Sequence, residues 1–233
     1  MSFARTVHHI GTYLVLAAFA LLIVPDVTAP TVQHLSLFTV SNEFKLYNEG
    51  SPVINYGAFG YCLRVIPERA TKDPTQPACV QSGVGYWATN IIENTYGYHS
   101  ASIPYGVELT VSRLTKVFVL IPVATAAAAV AFALALFSSF FVSTVASMLA
   151  AFVAAFSFAL AFVATCCAFV AFGAIQGALA NNSHTSTRGD FDVGIWALLA
   201  ATICLVLGAT FLLFTCCSGH HKRKLESGNL EKA

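Results

Sequence analysis

The chain has 233 residues and a formal net charge of +1; 57% of its residues are hydrophobic and only 10% are charged. Water-soluble domains carry about 25% charged residues, so a chain this poor in charge must hide most of its surface, and lipid is the medium that hides it. The near-neutral balance, with no basic stripe carrying interleaved aromatics, gives no basis for a nucleic-acid partner.

The first apolar segment, residues 10–28, follows a short start containing Arg5, His8 and His9 and ends at Pro25, Asp26 and Pro30. It predicts a membrane helix. A cleaved signal peptide is the alternative, but no small-x-small cleavage site follows the run. Residues 29–115 hold most of the Gly, Pro, Asn, Tyr and charged residues. Their apolar residues come in short runs (35–40 and 53–59), which predicts strands rather than helices. Asn48-Glu49-Gly50-Ser51-Pro52 reads as a turn between two of them.

Residues 117–187 contain no Asp, Glu, Lys or Arg. A crossing needs roughly 20 apolar residues, so this run accommodates two, predicted at 116–137 and 145–175 with a tight hairpin at Ser138, Ser139, Ser143 and Thr144. Both are rich in Ala, Ser, Gly and Phe, and small residues let helices approach closely in lipid. A packed bundle is the reading. A pore or carrier would place ionisable groups in the membrane. A short loop at 176–192, a fourth span at 193–215 and a tail at 216–233 complete the chain.

Basic residues select the cytoplasmic side. Arg5 before the first span and Lys222, Arg223 and Lys224 after the last place both termini in the cytoplasm. The long loop and the 176–192 loop then lie outside. Asn181-Asn182-Ser183 is a glycosylation sequon in that second outer loop, with Asn181 as its acceptor.

Of seven cysteines, only Cys62 and Cys79 lie in the long loop. An oxidising compartment favours a disulfide between them, worth roughly 3 kcal/mol in the chain-entropy picture. Free or metal-binding thiols are the alternative, but no further Cys or His stands at ligand spacing. Cys166, Cys167 and Cys204 read as small apolar residues of helices. Cys216 and Cys217, where the last span meets the basic tail, are palmitoylation candidates or buried helix-end thiols. His8, His9, His34, His99, His184, His220 and His221 form no metal-ligand set. Histidine is the side chain suited to sensing pH near neutrality, so external pH sensing by His34 and His99 competes with an ordinary solvated role. No nucleophile elbow, P-loop or dinucleotide fingerprint occurs. No catalytic residue, cofactor or metal is therefore expected.

Gly57-Ala58-Phe59-Gly60-Tyr61-Cys62, then Cys79, then Gly85-Tyr86 resembles the signature of the fungal PalI-like tetraspan family. That family includes PalI-type pH-response regulators and the eisosome proteins of the cortical patch. The resemblance covers nearly the whole chain. It implies a four-transmembrane-helix bundle with a small β-rich, disulfide-bonded extracellular domain in the first outer loop. Animal claudins share that plan more distantly, but their tryptophan before the glycines is absent here. The resemblance further implies a non-catalytic plasma-membrane accessory or scaffold protein. Its partners would be membrane lipids and a pH-sensor complex or cortical-domain proteins, with a homo-oligomer also open. A related group regulates calcium influx and membrane fusion in mating, so a channel regulator is the alternative. Asp190 and Asp192 are then the candidate cation-attracting pair. The tail after residue 215 is shorter than that of the long-tailed pH regulators.

Overall fold

Apolar runs uninterrupted by charge become helices because lipid offers backbone groups no other hydrogen-bonding partner. In the computed structural model, helix α1 spans Ser2–Asp26, α4 Leu120–Phe141, α5 Thr144–Asn181 and α6 Val193–Leu230. The structure describes residues 2–42, 51–66, 78–81, 83, 85–96, 104–141, 144–181 and 187–230. Among these, four helical stretches are long and apolar enough to cross a membrane: Thr6–Asp26, Tyr105–Ser139, Val145–Ala180 and Val193–Thr215. Between α1 and α4 lie strands β1 (Phe38–Asn42), β2 (Ser51–Tyr56), β3 (Gly60–Ile66) and β4 (Ala78–Gln81). Helices α2 (Ala88–Tyr96) and α3 (Tyr105–Thr115) and a 3-10 turn over Lys116–Val119 follow them.

The expected elements shift in four places. Residues 29–115 do form strands, but also α2 and α3. In α2, Ala88, Thr89 and Ile92 are buried while Asn90 is exposed, a helical rather than alternating pattern. The second span is therefore preceded, within one continuous helical stretch, by residues before Lys116. Its helix starts at Tyr105, with Glu108 in the first turn and Arg113 in the last, where each charge complements the helix dipole. Ser51 and Pro52, read as turn residues, belong to β2, and residues 48–50 lie outside the described set. The short loop before α6 is partly a strand, β5 (Thr187–Phe191). The fourth apolar stretch, Val193–Thr215, has the bounds expected for that span, and helix α6 itself continues to Leu230.

The chain divides into two compact units. One comprises Met1–Leu22, Pro122–Phe162 and Ala200–Ala233. Its core is Val15, Ala131, Ala151, Ala154, Ala209 and Leu212. Helices α1 and α6 cross at paired glycines: a Cβ on Gly208 would lie 2.9 Å from Val15 Cγ2, and one on Gly11 would lie 3.4 Å from the Gly208 carbonyl. The fully buried Ser157 hydroxyl of α5 donates to the Ala124 carbonyl of α4 at 2.8 Å. Small residues thus make the helix contacts, as lipid-embedded packing requires. His8 on α1 lies 3.1 Å from the Ser139 hydroxyl and 3.3 Å from that of Ser138, which ties α1 to α4.

The other unit comprises Ile23–Ile121 and Val163–Leu199. It holds an antiparallel sheet in the order β4-β3-β2-β1-β5. Phe38, Val40, Ile54 and Tyr56 share one face of this sheet and are fully buried. Phe38 stacks on Phe172 of α5 with centroids 5.0 Å apart, and Phe172 meets Phe118 at 5.9 Å. β5 joins the sheet beside β1, pairing Phe38 with Phe191 and Val40 with Gly189. The Phe38 ring covers Gly189, filling the space where a Cβ would stand, so an aromatic ring shields a strand glycine. Four apolar helices with a small disulfide-bonded sheet make a claudin-like tetraspan fold.

Candidate functional site: the glycine turn and its clamp

Residues 57–59 form the turn between β2 and β3, and Gly60 opens β3. The strands pair up to Tyr56 opposite Tyr61, and Gly57 N–H donates to the Gly60 carbonyl at 2.9 Å. This turn sits against the segment that leaves α1. A Cβ on Gly57 would overlap the Ala29 carbonyl oxygen and come within 2.8 Å of the Ala29 backbone carbon and nitrogen. Only a residue without a side chain allows two backbones to meet this closely. Next along, Ala58 N–H donates to Thr28 Oγ1 at 3.1 Å, and that hydroxyl donates in turn to the Pro25 carbonyl at 2.7 Å. Thr28 therefore joins the last turn of α1 to the motif. Gly57, Ala58, Gly60 and Cys62 are all buried; Phe59 and Tyr61 are partly exposed.

The second half of the motif closes over the first. Tyr86 is buried, and its hydroxyl donates to the Gly57 carbonyl at 2.7 Å. Burial pushes the phenol well above its ordinary pKa, so the group stays protonated and remains a donor across the physiological range. Tyr56 stacks parallel to Tyr86 at 6.2 Å and donates its own hydroxyl to the Ala88 carbonyl at 3.0 Å. Gly85 has φ +81°, and the Lys116 side chain runs through the space beside it. The two requirements together explain a glycine before this tyrosine. Farther back, Gly83 N–H donates to the Phe59 carbonyl at 3.0 Å.

Cys62 and Cys79 face each other across β3 and β4 and are joined as a disulfide, with Cα atoms 4.0 Å apart. The candidate residues Gly57, Ala58, Phe59, Gly60, Tyr61, Cys62, Cys79, Gly85 and Tyr86 are thus one assembly rather than two separate sequence features. Sequence reading missed Thr28, Ala29 and Tyr56, because their partners lie far along the chain and the residues themselves carry no distinctive spacing.

Tyr86→Phe is expected to cost about 1–3 kcal/mol, because it leaves the buried Gly57 carbonyl without its donor while preserving the ring stack. Thermal unfolding of the purified protein in detergent checks this, and an unchanged midpoint would remove the clamp.

Other candidates land elsewhere. Asp192 Oδ1 accepts from Val193 N–H, the first residue of α6, at 2.8 Å, while Oδ2 accepts from the Ser36 hydroxyl. That carboxylate is occupied in holding the segment before β1 to the start of α6. Asp190 is exposed on β5 opposite Thr39. His34 is exposed in the turn before β1. His99, His184 and the sequon residues Asn182 and Ser183 lie outside the described residues, and Asn181 is the last residue of α5. Cys216 and Cys217 fall within α6, with side chains outside the described set. Among the described residues, no group of three or more His, Cys, Asp or Glu could hold a metal ion.

No curated protein matches the chain. A family model, however, described as the SUR7/PalI family, matches residues 5–222, which include every element of the glycine turn and its clamp, and the chain belongs to that family.

Proposed function

We propose that this protein is a non-catalytic accessory or scaffold protein of the plasma membrane that acts by lateral contact with other membrane proteins. Membership of the SUR7/PalI family supports the membrane accessory role. The observation that carries the lateral-contact reading is the division of α5 into two faces. Ala151, Ala154, Ser157 and Ala161 are buried, while Val145, Leu149, Phe152 and Phe156 are about half or more exposed. Small residues make the packing face, and large apolar ones are offered outward. A lipid-embedded partner helix can pack against such a ridge. The termini lie in the cytoplasm in this reading, on the strength of Arg5, Lys222, Arg223 and Lys224. Of the pair that the channel-regulator alternative would use, Asp192 is already engaged by Val193 N–H and Ser36.

The finer role is support of an ambient-pH sensing complex or organisation of static cortical domains. Affinity purification of the full chain from gently solubilised membranes, with partners identified by mass spectrometry, tests it. Recovery of pH-sensor subunits selects the first role and recovery of cortical-domain proteins the second. Unitary currents from the purified protein in planar bilayers would overturn the scaffold reading.

A further inference from the structure

The chain has two tryptophans, Trp87 and Trp196, and both are about half exposed, at 48% and 54%. Each stands where charge gives way to apolar helix. Trp196 is the fourth residue of α6, about one turn from Asp192, whose carboxylate bonds the first N–H of the helix. Its indole packs edge-on against Phe169 of α5 at 6.1 Å. Trp87 follows the clamp residue Tyr86. The Tyr86 carbonyl accepts from the Thr115 hydroxyl at 3.5 Å, and the Lys116 stem passes Gly85, with Cε 3.0 Å from where a Cβ would stand. Arg113 and Lys116 are the last charges before the apolar run that starts at Val117. The turn carrying Trp87 is therefore level with the end of that run, and the next residues of the same helix already expose Val119.

Indoles partition to the boundary between headgroups and acyl chains, where an apolar body and a polar N–H are both accommodated. Lysine at the same level extends its ammonium toward the phosphates while its stem stays in apolar surroundings. We infer that Trp87 and Trp196 both insert into the headgroup–acyl boundary of the leaflet on the sheet side, and that Trp87 thereby seats the Gly85-Tyr86 clamp on the lipid surface. At the level of the Lys116–Val119 turn, where Val119 is already exposed, the surroundings of the spans are acyl chains, so the occupant assigned to the exposed indole of Trp87 is lipid. The motif turn is thus held from one side by Ala29 and from the other by a segment anchored in the bilayer.

The inference rests on the four helices spanning the bilayer, which Trp196 reports separately. Full-length protein is reconstituted in phosphatidylcholine vesicles containing lipid brominated near the headgroup end or near the terminal end of the acyl chain. Trp196→Phe leaves Trp87 as the sole reporter, and Trp87→Phe leaves Trp196. Both reporters should lose emission more strongly to the shallow bromines than to the deep ones, and both should resist aqueous iodide. Quenching of Trp87 by iodide and not by bromolipid, with Trp196 still quenched by bromolipid, overturns the inference and leaves the spanning reading intact. Iodide quenching of both overturns the two together. The unsubstituted protein supplies a check that needs no variant: shallow bromines should quench the whole of its emission, and a bromine-resistant, iodide-sensitive fraction counts against Trp87 at the boundary.

Discussion

Gly57→Ala is expected to lower the stability of the sheet-bearing unit by about 3 kcal/mol, the upper end of what over-packing costs. The added methyl would meet backbone, not a side chain able to rotate away: the Ala29 carbonyl oxygen occupies that position. Neither backbone is free to yield. Ala29 N–H is bound to the Leu35 carbonyl at 2.8 Å, and Leu37 N–H to the Tyr56 carbonyl at 2.7 Å. The turn itself is held by Tyr86 on Gly57 and by Thr28 on Ala58. Two other glycines calibrate the effect. Gly106, in exposed helix α3 with open space around it, should gain up to about 1 kcal/mol as alanine from helix propensity. Gly83 also has open space, but its φ is +75°, so alanine there should cost about 1–2 kcal/mol. Differential scanning fluorimetry of the three variants in one detergent gives the ranking. A Gly57→Ala midpoint no lower than that of Gly83→Ala would show that the contact with Ala29 is not a rigid one.

The parts of this protein that were legible in its sequence are those set by local composition. Absence of charge from 117 to 187 is enough to demand membrane helices, because hydropathy is summed over neighbours and needs no tertiary knowledge. The pairing of Cys62 with Cys79 was legible because the long loop offered no other cysteine. Strand β5 was not. Its burial alternates along Thr187–Phe191, but the inward position that would have shown an apolar residue is Gly189, with the Phe38 ring supplying the missing apolar surface. Helix α3 was hidden by Glu108 and Arg113, which look like loop charges until their positions at opposite ends of one helix are recognised. The glycine motif was visible as a pattern and opaque as a mechanism. Gly57 is needed because of Ala29, and Tyr86 because of Gly57, and no periodicity connects residues so far apart. Asp192 shows the same gap from the other side: a loop carboxylate by sequence, it bonds Val193 N–H at the start of α6 with one oxygen and Ser36 with the other.

Removing the disulfide, by Cys62→Ala with Cys79→Ala, should cost about 3 kcal/mol, the chain-entropy value for a closed loop of this size, given a sequence separation of 17. The loss should reach beyond β4. That strand has four residues at the edge of the sheet and, among the described residues, pairs only with β3. From it the chain runs directly to Gly83, bonded to Phe59 of the turn, and on to Tyr86, bonded to Gly57. The disulfide therefore fixes the near end of the strap whose far end is the clamp. If the strap acts as one unit, the disulfide and the Tyr86 hydroxyl are not independent, and a double-mutant cycle should show it. Adding Tyr86→Phe to the disulfide-free protein should cost less than adding it to the parent, with a coupling of about 0.5 kcal/mol or more. Reductant supplies the same comparison without the cysteine substitutions: it should lower the unfolding midpoint of the parent, lower that of Tyr86→Phe by less, and leave the disulfide-free variant unmoved. Strict additivity of the two changes would mean that β4 and the clamp hold the glycine turn separately, with the segment between them contributing no mechanical link.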